Sequence, residues 1–212
     1  MEKIVVIGSG GHAKVVIDIL LKRIKNLKEN IKIIGILDDD DTKVGSELYG
    51  IPVIGNIDKI NYLDKDISYL IAIGNNLIRK QIKNKFKNIK YFTAIHPSVI
   101  IGKDVLIGEG TVVMPGVVIN GSTNIGEHCI INTSAVIDHD NRIENFVHIS
   151  PNVSLAGEVR IGECSWIGIG SSIIQDVYIG KNTIIGAGSV VTRHIGDNKI
   201  AYGVPCKVMG FR

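Results

Sequence analysis

A six-residue alternation of aliphatic and polar positions runs through the second half of the chain. Counting from Ile95, every sixth residue up to Val191 is Ile, Leu or Val, which makes 17 consecutive positions without a polar residue or an insertion. The fifth position of each hexad is small or β-branched, with Asn141 as the exception. Short strands with a tight turn every six residues are typical of a parallel β-helix. The pattern therefore predicts a solenoid that begins at residue 93 and is closed by residues 200–212, which leave the register.

The first 92 residues have a different pattern, in which buried-strand runs alternate with helical periods. Strands are predicted at 3–7, 31–37, 51–54 and 69–73, and helices at 13–28 and 77–86, while residues 91–93 lead into the solenoid. Strands that alternate with helices indicate a small parallel sheet of β-α-β type. The predicted fold class is therefore α/β plus β-solenoid, with a Rossmann-like domain at 1–92 followed by a β-helix at 93–212.

Composition supports a globular chain and narrows its partners. Of the 212 residues, 45% are hydrophobic and only 5% aromatic, so branched aliphatics must fill the core. The formal net charge is +3 and the basic residues are scattered, which gives no case for nucleic-acid binding. No apolar stretch reaches the length of a membrane span and the first residues lack the shape of a signal peptide, so we expect a cytoplasmic protein.

The cysteines and histidines do not predict a disulfide framework or a metal site. The three cysteines, Cys129, Cys164 and Cys206, are odd in number and form no C-x-x-C pair. No two histidines of the second half lie at the close spacing that would present a pair to one zinc ion. A covalent acyl-enzyme is not indicated, because no G-x-S-x-G or other nucleophile motif is present.

A glycine-rich segment, Gly8–Ala13, follows the first predicted strand and opens the first predicted helix. Its glycines bring backbone N–H groups close to an anion, and the helix dipole favours a phosphate there. Asp38 and Asp39 follow the second strand, where an acid in a NAD domain would bind a ribose. NAD, another nucleotide and a plain structural turn all remain open, and the short domain of about 90 residues favours another nucleotide over NAD.

His139 and Asp140 stand beside Asn141, where the fifth-position rule fails. A carboxylate beside an imidazole sets its tautomer and basicity, so the pair predicts a general base. His148 follows nine residues later, and we expect it within reach on the next coil.

With both halves considered, the whole chain resembles the sugar acetyltransferases of the NeuD/PglD family. The motifs that carry the resemblance are Gly8 to His12, Leu37-Asp38-Asp39, Ala72 to Asn76 with Arg79, Asn132-Thr133-Ser134 through His139, and Gly203-Val204-Pro205. This family joins a nucleotide-sugar-binding β-α-β domain to a left-handed β-helix with three hexads to a triangular turn. The left hand and the three-hexad coil are what the resemblance implies.

The resemblance also implies roles for individual residues. The base falls on His139, and the acid that raises its basicity falls on Asp140. Acetyl-CoA contacts fall on His148, Gly157, Ile169 and Ala187. Nucleotide-sugar contacts fall on Gly10, Gly11, His12, Asp38, Asp39 and Gly74. A homotrimer is implied, with the donor lying in the groove between neighbouring chains.

The expected activity is transfer of acetyl from acetyl-CoA, without a metal, to the amino group of a nucleotide-linked amino-sugar, a UDP-4-amino-4,6-dideoxy sugar of bacterial glycan synthesis. The oxyanion that develops at the thioester is expected to be stabilised by His148 or by the Gly157 N–H. One alternative within the same class is O-acetylation of sialic acid or a related sugar. Two alternatives of another class are a NAD-dependent oxidoreductase and a non-catalytic assembly module.

Overall fold

A computed structural model describes residues 1–212 as two compact units, Met1–Pro97 and Ser98–Arg212. The strands of the first unit are β1 (Glu2–Ile7), β2 (Ile31–Leu37), β3 (Glu47–Leu48), β4 (Ile51–Gly55), β5 (Ile67–Ile71), β6 (Lys90–Tyr91) and β7 (Ala94–Ile95). Its α-helices are α1 (Gly11–Leu27) and α2 (Asn76–Lys85), and two 3₁₀ turns cover Asp41–Lys43 and Ile57–Tyr62.

The first unit is built on one six-stranded sheet with the order β3-β4-β2-β1-β5-β6. The central strand β1 pairs in parallel with both β2 and β5, and only β3 runs antiparallel to its neighbour. Ile4 to Ile7 of β1 are fully buried, as are Val16, Ile17, Ile19 and Leu20 of α1. Each such aliphatic side chain stabilises the fold by about 1.5–3 kcal/mol. The parallel strands of this sheet therefore have their carboxyl ends on one edge.

Strand β5 ends at Ile71, two residues earlier than predicted, because the chain turns away from the sheet there. The Ala72 amide still donates to the Ile7 carbonyl (2.7 Å), while the Ile73 side chain packs over Gly8. Gly8 has φ +101°, and a Cβ at this position would lie 2.8 Å from Ile73 Cγ1. Glycine is thus required where the loops after β1 and β5 approach each other.

The second unit is a solenoid of sixteen two-residue strands followed by a hairpin. The strands are β8 (Ile100–Ile101), β9 (Leu106–Ile107), β10 (Val112–Val113), β11 (Val118–Ile119), β12 (Asn124–Ile125), β13 (Ile130–Ile131), β14 (Val136–Ile137), β15 (Arg142–Ile143), β16 (His148–Ile149), β17 (Ser154–Leu155), β18 (Arg160–Ile161), β19 (Trp166–Ile167), β20 (Ser172–Ile173), β21 (Tyr178–Ile179), β22 (Ile184–Ile185) and β23 (Val190–Val191). The hairpin pairs β24 (Lys199–Gly203) with β25 (Cys206–Phe211) and closes the end, as predicted.

Each solenoid strand from β8 to β20 pairs in parallel with the strand 18 residues further on, as Val136 does with Ser154. Three hexads therefore make one coil, and three sheets run along the solenoid: one through β14, one through β15 and one through β16. The second residue of each strand faces the interior and is fully or almost fully buried from Val113 onward. Ile101 is 43% exposed because the first coil has no solenoid coil before it.

Candidate active site

A cavity of about 530 Å³ opens at the carboxyl ends of β1, β2 and β5. The six residues expected to contact a nucleotide-sugar all line it: Gly10, Gly11, His12, Asp38, Asp39 and Gly74. Ligands of parallel sheets bind at this edge because the loops after successive strands converge there. The N-terminus of α1 at Gly11 adds N–H donors and a dipole that favour a negatively charged group.

His12 contributes a neutral imidazole to this cavity. Burial, together with the positive charge of Arg79, lowers the pKa of His12 from 6.5 to about 4. Its Nε2 atom is buried and has no hydrogen-bond partner in the protein. A neutral ring carries one N–H donor and one acceptor, so this nitrogen is free to bond a ligand.

Asp38 directly follows β2 and is held in place by hydrogen bonds. Its carboxylate accepts hydrogen bonds from the amide of Ser9 (2.7 Å) and from the Ser9 hydroxyl, and Lys43 Nζ lies 3.5 Å away. Burial alone would raise the pKa of Asp38, but these bonds, the Asp40 amide and the Lys43 charge outweigh it and keep the pKa below its ordinary value. Asp38 therefore stays ionised and ties the glycine loop to the next strand.

The loop after β5 is fixed by Asn75 and Arg79. The Asn75 side chain caps α2 by accepting from the amides of Leu77 (3.0 Å) and Ile78 (3.1 Å). The Arg79 side chain is buried and donates to the carbonyl of Gly74 (2.9 Å). These contacts hold Gly74 in the cavity wall.

In the second unit, His139 lies at the corner between β14 and β15, and its side chain is 57% exposed. Its Nδ1 lies 2.7 Å from Asp140 Oδ2. Because a carboxylate only accepts, Nδ1 carries the proton and Nε2 keeps its lone pair. The geometry is that of an imidazole whose outer nitrogen can take a proton.

A second carboxylate, Asp138, was missed by the sequence analysis. The hydrogen bond to Asp140 and the charge of Asp138 raise the pKa of His139 above its ordinary value. Asp138 Oδ1 accepts from Asn120 Nδ2 and from the His139 amide, both at 2.9 Å, and these bonds lower its own pKa. The signal was present in the sequence, since His139 has an acid on each side.

Gly157 lies one coil after His139, at the same corner. A Cβ on Gly157 would come within 2.6 Å of His139 Cε1 and 2.9 Å of Nε2. The imidazole thus rests directly over the Gly157 α-carbon. Gly157 belongs structurally to the His139 corner and does not line the cavity described next.

A second cavity, of about 430 Å³, lies on the sheet that contains β16. It contains three of the four residues expected to contact acetyl-CoA, His148, Ile169 and Ala187. Trp166, which the sequence analysis missed, stacks on His148 with ring centroids 5.4 Å apart and donates to Ser150 Oγ (2.8 Å). The cavity wall is largely apolar, as in sites that bind flexible, uncharged chains.

His148 is not within reach of His139 in the same chain, contrary to expectation. Nine residues are half of an 18-residue coil. His139 therefore lies at the corner between two sheets, and His148 lies on the third sheet, opposite that corner. The three-hexad coil that the family resemblance implies already contains this information, so the expectation was wrong.

Comparison with known proteins identifies the relatives of both units. A family model described as "PglD N-terminal domain" matches residues 3–86, and one described as "Bacterial transferase hexapeptide (six repeats)" matches residues 158–193. Among solved structures, perosamine N-acetyltransferase from Caulobacter crescentus, in complex with CoA and GDP-perosamine, is 39% identical with a TM-score of 0.89. That match covers 99% of this chain and 98% of the other. The chain belongs to the NeuD/PglD family of sugar acetyltransferases.

Two further family members support this assignment. The acetyltransferase domain of PglB from Neisseria gonorrhoeae FA1090, in complex with acetyl coenzyme A, is 36% identical with a TM-score of 0.89 over 98% of this chain and 99% of that chain. UDP-N-acetylbacillosamine N-acetyltransferase of Bacillus subtilis (strain 168) is 39% identical over 116 residues. The match spans 53% of this chain and about half (51%) of that curated relative.

The predictions of the family and of the fold, a Rossmann-like domain followed by a left-handed β-helix, are confirmed. Family membership places the chain among acetyltransferases rather than among NAD-dependent oxidoreductases or assembly modules. The structure has no helix that is long and apolar enough to cross a membrane. No group of three or more His, Cys, Asp or Glu side chains is arranged to hold a metal ion.

Proposed function

We propose that this family member transfers the acetyl group of acetyl-CoA to the amino group of a nucleotide-linked amino-sugar, a UDP-4-amino-4,6-dideoxy sugar used in bacterial glycan synthesis. The observation that carries the proposal is the His139 corner. There an exposed imidazole is hydrogen-bonded through Nδ1 to Asp140 and rests on Gly157, with Nε2 as its open basic atom. The Caulobacter and Bacillus relatives are named as N-acetyltransferases, which supports an amine acceptor over the hydroxyl of a sialic acid.

The reaction is direct transfer within a ternary complex. The sugar amine attacks the thioester carbonyl carbon, and His139 Nε2 takes the proton that the amine loses. Asp140 and Asp138 stabilise the imidazolium that forms. The tetrahedral intermediate then collapses, the carbon–sulfur bond breaks, and the CoA thiolate leaves and is protonated, with His139 as the proton source.

The negative charge on the thioester oxygen needs a hydrogen-bond donor. We assign this role first to the Gly157 N–H, since Gly157 touches the His139 ring in the same chain. His148, the other candidate, would have to come from a second chain because it lies half a coil away. We assign His148, Ile169 and Ala187 to the pantetheine and acetyl end of the donor, in the apolar cavity that they line.

Acceptor binding is assigned to the cavity of the first unit, with Gly10, Gly11 and His12 on the diphosphate side and Asp38, Asp39 and Gly74 around the nucleoside. The Bacillus relative is named for a UDP-sugar and the Caulobacter relative is bound to a GDP-sugar. We therefore propose comparing UDP- and GDP-linked 4-amino sugars as acceptors, with CMP-linked and free sialic acid as further arms. We expect thiol release from acetyl-CoA only with the UDP-linked amino-sugar. Thiol release only with sialic acid would overturn the proposal.

We further propose that the chain works as a homotrimer in the cytoplasm, where acetyl-CoA and nucleotide-sugars are available. The half-coil separation of His139 from the donor cavity supports a site shared between chains. On the sheet of β14, the outward residues of the first three strands are aliphatic, and the exposure of Ile100 (64%) and Val136 (41%) supports burial against other copies. The sheet of β15 carries Arg142 and Arg160 on its outer face and is less suited to burial.

A mixing experiment tests the shared site. His139→Ala and His148→Ala proteins are each expected to have low activity, and mixed trimers made by co-expression should regain part of it. Recovery arises because one interface of a mixed trimer can combine an intact His139 from one chain with an intact His148 from the next. If light scattering shows that the mixed proteins are trimers but no activity is regained, each chain builds its own site.

A further inference from the structure

Asn141 is the one residue that breaks the pattern of the solenoid interior, and its side chain bonds to the His139 corner. It is 1% exposed. Its Nδ2 donates to the carbonyls of Asp138 (2.8 Å), His139 (3.2 Å) and Ala156 (2.9 Å). Two of these three acceptors belong to the segment that presents His139 to solvent.

Hydroxyl residues at the same hexad position bond to fewer carbonyls than Asn141 does. Thr111 Oγ1 donates to the Gly126 carbonyl (2.8 Å), 15 residues on, and accepts from the Cys129 amide (2.9 Å). Ser165 and Ser171 make the same kind of bonds to the next coil. The bond from Asn141 to Ala156 is the counterpart of these. The bonds to Asp138 and His139 lie within the corner itself. Thr183 and Ser189 each bond to one carbonyl of their own corner, whereas Asn141 bonds to two and to the next coil as well.

Asn141 keeps this position at a cost to stability. Its Oδ1 is buried and has no hydrogen-bond partner, whereas a hydroxyl of the same column, such as that of Thr123, both donates and accepts. A buried acceptor without a partner is destabilising. Local rules of folding are broken in this way mainly at functional sites.

We propose that Asn141 is a positioning residue, which holds the backbone of the His139 corner so that the imidazole stays between Asp140 and the Gly157 α-carbon. This inference rests on the proposed role of His139 as the base. The carboxylates that act on His139 are Asp138 and Asp140 of its own corner and Glu158 of the next coil. Without the Asn141 bonds, the backbone of the corner would be more mobile. The hydrogen bond from His139 Nδ1 to Asp140 would then be weaker, and His139 Nε2 would occupy a wider range of positions.

The decisive variant is Asn141→Thr, since Thr123 occupies the same column one coil earlier. The melting temperature should be unchanged or higher, because the unpaired Oδ1 is removed. Turnover should nevertheless fall about tenfold, as expected for a misplaced reacting group. The KM for acetyl-CoA should not change, since the donor cavity lies half a coil away. The acidic limb of kcat/KM should move to lower pH because a weaker bond to Asp140 lowers the pKa of His139.

The same pKa can be measured without any substrate, by NMR titration of the His139 ring, assigned as the signal that is absent in His139→Ala. Asn141→Val serves as a second variant, since Val159 and Val177 follow Asn141 in the same column. Thr111→Val is the matched control: it removes an interior bond away from His139, and should lower stability but leave the His139 titration and turnover at wild-type values.

A lowered pKa and lowered turnover in both Asn141 variants would support the proposal. A wild-type His139 titration in folded Asn141→Thr would overturn it, as would failure of both Asn141 variants to fold while Thr111→Val folds. If His139→Ala itself retained full turnover, the proposed base would be wrong. The NMR titration would still show whether Asn141 controls the ring.

Discussion

The two units of this protein differ in how they arrange the residues that are expected to form a site. In the first unit, the loops after three parallel strands converge at one sheet edge, and all six expected nucleotide-sugar residues line a single cavity. In the second unit, the coil distributes its functional groups around a triangular section, so that His139 and His148 lie on opposite sides. A sheet edge concentrates side chains because strands end together, whereas a solenoid repeats every position along its length. A solenoid site that needs groups from opposite sides must therefore recruit another chain.

The largest predicted effect is the loss of turnover in His139→Ala, a change that should leave ligand binding by the first unit intact. Loss of positioned proton transfer should lower kcat by about 10²–10⁴-fold. The melting temperature should change little because the side chain is largely exposed. Binding of the nucleotide-sugar, measured by calorimetry, should be unchanged because its cavity lies in the other unit. His194→Ala, at another exposed solenoid histidine, is the control. Near-normal turnover in folded His139→Ala would remove the assignment.

Gly157→Ala tests whether Gly157 positions the His139 ring. The added Cβ would lie 2.6 Å from His139 Cε1, so the ring must move. We expect turnover to fall about 10- to 100-fold with only a small change in stability. Gly121→Ala, one coil before His139 in the same column, provides a comparison, since its Cβ would meet the Lys103 carbonyl at 3.1 Å rather than the imidazole. Equal effects of the two changes on kcat would contradict a specific role for Gly157.

Asp140→Asn should change the pH dependence more than the rate. The hydrogen bond to Asp140 is the main cause of the raised pKa of His139. The amide can still accept from Nδ1 but supplies no charge, so the pKa falls. A less basic His139 remains neutral to lower pH, and the acidic limb of kcat/KM should shift downward while kcat decreases about tenfold. A limb that moves upward, or does not move, would show that another group controls it.

The smallest effect concerns His12, in the cavity of the first unit, and is a change in stability. His12 has a pKa of about 4 in the folded protein and about 6.5 in the unfolded chain. Between these values the unfolded chain binds the proton and the folded protein does not. Stability should therefore fall as the pH drops from 6.5 towards 4. His12→Asn should flatten this part of the curve of melting temperature against pH, with His194→Ala as the control. An unaltered curve would mean that His12 is not held neutral.

Much of the fold could be read from periodicity. The aliphatic at every sixth position specifies which side chains enter the solenoid, because burial of those side chains is what stabilises each coil. The strand and helix periods of the first 92 residues specified the β-α-β order. The errors were at element ends, such as β5, where Ile73 leaves the sheet to pack on Gly8. Such an end is set by contact with a distant loop, which local pattern does not contain.

For the candidate site, the sequence by itself indicated residue types: the glycine loop, the acids after β2, the His139 pair and the irregular Asn141. It did not indicate Trp166, because outward-facing hexad positions tolerate any residue and carry no periodic signal. Asp138 was overlooked, although it directly precedes His139 in the sequence. Only the tertiary structure decided which groups meet. The spacing of nine residues places His139 and His148 on opposite sides because the coil closes at 18 residues, which the structure shows and the family resemblance had implied. The three bonds of Asn141 likewise exist only because successive coils stack and bring carbonyls of the corner and of the next coil around one buried amide.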